Sequence, residues 1–267
     1  MHVADFSSKL KKPCRDVKVG ENMKFSSTEL ERYDRQIRIK GLGKSGQSKL
    51  KGARVMVAGA GGLGDPISLY LVAAGVGYVA IVDKDAVELS NLNRQILHWS
   101  NDIGKLKNVS AIKKLRQLNP EIRVEAIQKA ITSDNARELV KAFTVVVDGL
   151  DHWSTRFLLN KACVEERIPF VHAGVYSLYG QITTILPGKG PCLQCILPKP
   201  PPEEEKFPVL GATPGTLGLL EALETIKIIT GLGEPLVGRM LHFDGETMSF
   251  QEIRVERRRS CPVCGSL

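Results

Sequence analysis

ARVMVAGAGGLGDP, residues 53–66, is the stretch whose reading decides the fold. Its first six residues form an apolar run with β-branched Val55 and Val57, suited to a strand buried in a parallel sheet. Glycines at 59, 61 and 64 follow with G-x-G-x-x-G spacing, and Gly62 lies between them. Such a turn lets backbone N–H groups approach a phosphate where the next helix begins. A helix over 67–75 continues the pattern, with Pro66 in its first turn, where a missing N–H costs little. The run 78–83 reads as a second strand, and it ends in Asp83, nineteen residues beyond Gly64. An acid there accepts hydrogen bonds from ribose hydroxyls. The same pattern also fits a ligand-free tight turn, and it does not choose among nucleotides; NAD is the usual occupant.

Working outward, further strands are predicted over 122–127, 143–148 and 168–174. Helical patterns at 105–119, 133–142 and 155–167 separate them. This alternation predicts a Rossmann-like, doubly wound, mostly parallel α/β sheet. Later come a strand at 180–186, a loop at 198–214 with five prolines in its first eleven residues, a helix at 217–231 and two strand-like runs. Upstream, Thr28 and Glu31 have capping-box spacing and open a helix over 31–40, which Gly41, Gly43 and Gly46 end. Residues 1–25 (Lys9, Lys11, Lys12, Cys14, Arg15 and Lys18 among them) read as a flexible extension, and 26–267 as a single domain.

The composition is that of a globular chain: 267 residues, 43% hydrophobic and 25% charged, enough for one large domain. The net charge of +8 suits an acidic partner or a polyphosphate, and equally a solvated basic face. No nucleic-acid-binding motif accompanies it. No apolar run reaches membrane-spanning length and no secretory leader opens the sequence, so the expectation is a cytoplasmic protein with reduced thiols and no membrane contact.

DKDAVELSNLNRQ, residues 83–95, carries more polar groups than a ribose needs. Arg94 can fork onto phosphate oxygens, and Asn91 and Gln95 can hydrogen-bond phosphate or sugar. Lys107 adds a point charge at the start of the next helix. Asp151 follows a predicted strand's carboxyl end, where ligands sit in open α/β sheets, and an acid there could hold Mg²⁺ against a triphosphate. Near the other end, Cys192–Cys195 and Cys261–Cys264 are two C-x-x-C pairs. Together they complete a closed tetrahedral structural zinc site; redox-active pairs are the rival reading.

Eight blocks, in order, resemble the ThiF/HesA/MoeB family of ubiquitin-activating-enzyme-like adenylyltransferases: RYDRQ (32–36), GAGGLG (59–64), DKDAVELSNLNRQ (83–95), GKLK (104–107), DGLD (148–151), GQI (180–182), CLQC (192–195) and CPVC (261–264). The resemblance implies ATP and Mg²⁺ as cofactors, a structural Zn²⁺, and adenylation of the C-terminal glycine of a small ubiquitin-like sulfur-carrier protein. It implies that Gly59, Gly61, Gly62 and Gly64 form the phosphate turn and that Asp83 holds the ribose. Asn91, Arg94 and Lys107 would hold the triphosphate, Asp85 and Gln95 would shape the site, Ser90 and His152 would belong to the nucleotide-binding set, and Asp151 would bind magnesium. Arg35 would reach into the partner's site of a homodimer.

The sequence departs from the family pattern at three places. His152 stands where asparagine is usual, and Asp65, after the glycine turn, would repel phosphate. No cysteine lies between Cys195 and Cys261, so no covalent sulfur-transfer or thioester step is expected of the 198–214 loop. Cys163, among apolar neighbours, reads as core. The rivals are a threonylcarbamoyladenosine-dehydratase-like enzyme acting on tRNA, an NAD-dependent oxidoreductase and an idle partner subunit. Retention of Arg94, Lys107 and Asp151 argues against the last.

Overall fold

The computed structural model describes residues 23–204 and 206–267. The expectation of a flexible extension falls, for residues 1–22, outside the described residues. The first strand, β1 (Arg54–Ala58), lies third, between β2 and β4, in an eight-stranded sheet of order β3-β2-β1-β4-β5-β6-β7-β8. The others are β2 (Tyr78–Val82), β3 (Arg123–Ile127), β4 (Val145–Asp148), β5 (Phe170–Tyr176), β6 (Tyr179–Ile185), β7 (Arg239–Asp244) and β8 (Ser249–Arg254). Strands β3 to β5 along that order pair in parallel, and β6, β7 and β8 add on antiparallel. The mostly parallel α/β sheet read from the sequence is therefore present. The chain moves outward from β1 through β2 to β3, then returns to place β4 on the other side of β1. That reversal opens a crevice beyond the carboxyl ends of β1 and β4.

Alternation along β1 feeds two cores. Val55 and Val57 join Ile67 and Leu71 of α4 (Gly64–Ala73), Leu115 of α5 (Lys107–Leu118) and Leu217 of the long helix Ala212–Thr230. Met56 and Ala58 join Leu139 of α6 (Ala136–Val140), Leu159 and Cys163 of α7 (Trp153–Glu166), and all four cysteines of the C-x-x-C pairs.

The N-terminal segment corrects the capping prediction. The capping box is Ser26 with Glu29, not Thr28 with Glu31, and helix α1 covers Ser27–Arg32. Both pairs have the right spacing, but only the first puts apolar residues, Phe25 and Leu30, at the flanking staple positions. Glu29 is buried and bonded to Lys51, whose ammonium lies 5.1 Å from the Phe25 ring. Helix α2 is only Asp34–Ile37, and Gly43 begins α3 (Gly43–Gly52) rather than ending a helix. CLQC lies on the short α8 (Leu193–Ile196), and α9 (Ala212–Thr230) starts five residues earlier than predicted, with Pro214 tolerated in its first turn.

Candidate active site at the switch point

The glycine turn is built by close approach. Gly59 has φ +99°, and a Cβ there would lie 2.4 Å from the Gly149 carbonyl oxygen, so the loops after β1 and β4 touch. A Cβ on Gly64 would lie 2.0 Å from the Gly59 oxygen. Gly64 thus lets α4 pack against the turn, whereas Gly59, Gly61 and Gly62 line a cavity of about 660 Å³. Asp83, Asp85, Ser90, Arg94, Gln95, Lys107, Asp151 and His152 line it too. Its size suits a nucleotide-sized ligand.

Asp83 first serves the backbone. One carboxylate oxygen accepts from Ala60 N–H at 2.8 Å, the other from Asp85 N–H at 2.7 Å, which ties the glycine turn to the segment after β2. Lone pairs remain on both oxygens for a ribose. Asn108 donates to the Asp83 carbonyl, and Lys107 N–H donates to that of Asp85. These bonds bring the Lys107 ammonium 3.9 Å from the Asp85 carboxylate, with only 12% of the lysine side chain exposed. Arg94 donates to the Ser90 carbonyl at 2.9 Å and to Asn93 Oδ1 at 3.0 Å. Gln95 is buried at the wall, its Oε1 without a protein partner. Asn91 does not line the cavity; its side-chain oxygen accepts from Glu88 N–H and caps the 3₁₀ turn Leu89–Asn91 that presents Arg94.

A second cavity, of about 370 Å³, adjoins the first. Asp151, Arg156, Val175 and Phe207 line both. Tyr176, Tyr179, Gly174 and Gly180 of the β5–β6 hairpin form one wall, and Pro201, Pro202, Glu203 and Glu204 another. The proline-rich loop is therefore placed between the cavities and solvent. Glu203 fixes it there: its carboxylate accepts from Trp153 and Ser154 N–H at the start of α7 and lies 3.4 Å from His152 Nδ1. Burial raises the Glu203 carboxyl, but these amide and histidine donors outweigh it and hold it below the usual range.

Sequence reading missed what lies beneath. Asp148, fully buried at the end of β4, accepts from His172 Nδ1–H at 2.6 Å and lies 3.3 Å from Arg156 Nε. Burial pushes the His172 imidazole down and the neighbouring Glu221 carboxyl well up, which disfavours charge on both beside this ion pair. One signal was readable: Arg156 sits in the first turn of a helix, where the dipole disfavours a cation, so it needs an anionic partner. Asp65 was also misread. It is buried away from the cavity, accepts from Leu97 N–H at 2.9 Å, and is raised well above the usual range by burial, which disfavours the charge that would repel phosphate. Arg35 is exposed on α2 and does not line its own chain's cavity. Cys163 is fully buried, and burial pushes its thiol well up, as suits a core residue.

The sulfurs of Cys192, Cys195, Cys261 and Cys264 lie within 4.8 Å of one another. Cys192 and Cys261 Sγ are 3.7 Å apart, Cys195 and Cys264 Sγ 3.4 Å, and none is in a disulfide. Four thiolates at about 2.3 Å from one ion would be about 3.8 Å apart, so the set fits tetrahedral zinc. Arg258 N–H donates to Cys195 Sγ at 3.4 Å, an outer contact that orients this ligand. Burial raises Cys261, but the Cys264 and Val263 amides and the neighbouring thiols outweigh it and bring it down to about 7. No helix among the described residues is long and apolar enough to cross a membrane.

The chain is similar to known proteins along most of its length. The chain is 43% identical over 253 residues to a sulfur carrier protein adenylyltransferase of Thermus thermophilus, covering 91% of this chain and 93% of that protein. It is 42% identical to a SAMP-activating enzyme E1 of Haloferax volcanii, covering 91% and 92%. Among solved structures, E. coli MccB with ATP superposes with a TM-score of 0.79 at 26% identity, over 88% of this chain and 75% of that one. The profile of the ThiF family matches residues 33–263, and the chain belongs to that family.

Proposed function

We propose that this protein is an adenylyltransferase that activates the C-terminal carboxylate of a small ubiquitin-like sulfur carrier with ATP. The names of the Thermus and Haloferax relatives support this reading, as does the ATP in the superposed MccB structure. The observation that carries it is the pair of adjoining cavities that share Asp151 and Arg156. One has the glycine turn and cations that suit a triphosphate. The other, of about 370 Å³ and bordered by Gly174 and Gly180, suits a slim peptide end such as Gly-Gly.

In this reading a carboxylate oxygen forms a bond to the α-phosphorus, and the bond to the bridging oxygen of the leaving pyrophosphate breaks. No protein nucleophile or general base is needed, because the attacking group is already ionised. Catalysis is alignment of two anions and neutralisation of charge on the leaving group. The glycine-turn amides cradle phosphate, Arg94 and Lys107 compensate its charge, and Asp83 orients the ribose. Asp151, exposed at the cavity junction, is an oxygen donor that fits Mg²⁺. A bound magnesium ion would neutralise the polyphosphate. Arg35, outside its own cavity, would complete the site of a second copy in a homodimer. The four cysteines hold structural zinc and leave no open position for chemistry.

The test is ATP–pyrophosphate exchange with and without a sulfur carrier ending in Gly-Gly. Exchange that requires the carrier, and vanishes when its terminal glycine is removed, is the expected result. Exchange driven by threonylcarbamoyl-tRNA, or NAD binding without exchange, would overturn the reading.

A further inference from the structure

Asp151 is poorly held by its own side chain. Its carboxylate is 68% exposed, and the contact recorded for it is His152 Nε2 at 3.8 Å. Its direction therefore depends on the backbone just before it. That backbone is fixed from beneath. Leu150 N–H donates to Asp148 Oδ1 at 3.0 Å, and the Leu150 carbonyl accepts from the Arg156 guanidinium. The same guanidinium faces Asp148 through Nε at 3.3 Å and lies 4.8 Å from the Trp153 ring. Arg156 is only 4% exposed, yet it borders both cavities. Its Nε lacks a hydrogen-bond partner of good geometry.

Asp148 is the carboxylate that faces Arg156, while burial disfavours charge on the neighbouring Glu221 and His172. A planar fork can hold a carboxylate on one side and a carbonyl on another; an ammonium cannot hold that spread. We propose that Arg156 is a positioning residue for this site: it ties the Leu150 carbonyl to Asp148, and so aims the Asp151 carboxylate at a metal-bearing polyphosphate where the two cavities meet. This rests on the adenylation reading for the reaction, but not for metal binding.

The experiment compares wild type, Arg156→Lys, Asp151→Asn and the double variant. It reads Mn²⁺ binding to the protein–ATP complex by electron paramagnetic resonance, and the Mg²⁺ dependence of carrier-driven exchange. Arg156→Lys keeps a cation beside Asp148 and is expected to keep metal-free ATP affinity within about two-fold, while its half-saturating metal rises about ten-fold, the scale of losses when a residue behind a ligand is removed. In the Asp151→Asn background the same change should cost less than about two-fold, because the two residues act on one function. If the lysine variant unfolds, Asp148→Asn with Arg156→Gln removes the buried pair without leaving a charge alone. That pair must show the same metal defect. Wild-type metal affinity in these variants, multiplicative losses with Asp151→Asn, or a lower rate at unchanged half-saturation would each overturn the proposal. Failure of the adenylation reading would show differently, as absent exchange in wild type with metal binding intact.

Discussion

The two faces of the sheet are closed in different ways. On one, α4, α5 and α9 bring Ile67, Leu71, Leu115 and Leu217 onto Val55 and Val57 in a core that holds no cysteine. On the other, α6 and α7 cover part of the sheet, and the remaining edge is closed by Cys192, Cys195, Cys261 and Cys264 beside Leu193 and Phe170. A fully buried leucine or isoleucine contributes about 1.5–3 kcal/mol by leaving water. Four thiols contribute far less by burial, and four thiolates repel unless a cation joins them. The first face should be stable as a chain property, the second as a chain-plus-metal property. The polar loops beyond the carboxyl ends of β1 and β4 belong to neither core and are free to serve chemistry.

The sharpest test of that division is Lys107→Ala or Arg94→Ala. Exchange should fall about 10²–10³-fold, with melting temperature unchanged; loss of both together would mean the loops are structural. Arg35→Ala should be equally inactive. Mixing it with Arg94→Ala after subunit exchange should restore about a quarter of the sites by random pairing of a two-fold dimer. A mixture as dead as its components would rule out a shared site. Next, Gly64→Ala attacks the first face, because its Cβ would meet the Gly59 oxygen at 2.0 Å. Chemical denaturation should show a loss of about 3 kcal/mol, and an unchanged midpoint would mean the turn can move aside.

Cys261→Ser, or chelation, attacks the second face. Amide hydrogen exchange should quicken at 192–196 and 258–265 while 64–73 keep their protection, and ATP affinity should hold within about two-fold. Equal loosening of both faces would erase the distinction. The smallest effect is expected of Asp65→Asn. Burial raises this carboxyl, so wild type is destabilised as pH rises above the unfolded value of about 3.9, where only the unfolded chain releases the proton. The variant should melt higher at pH 7, and the gain should close below about pH 4; a gain independent of pH would mean Asp65 is ionised.

Much of this was legible because each signal is local or periodic. The valines of 53–58, the glycine spacing and the acid at 83 decide strand, turn and helix within thirty residues. The metal set was legible because only cysteines in paired spacing make such knuckles. The capping box was misplaced because two candidates overlap and the flanking apolar residues choose between them. Helix α3 went unread because its glycines look like breakers, although Gly46 lies inside it and packs close to the Leu42 side chain.

What the sequence determined by itself, then, was the order of strands, the glycine turn, the cations and the thiols, since backbone preference and residue chemistry act over a few positions. Only the tertiary structure decided which groups face the cavity. It buried Asp65 and turned Asn91 into a cap. It also set Arg156 beneath Asp151, because burial, desolvation and close approach depend on neighbours far away along the chain.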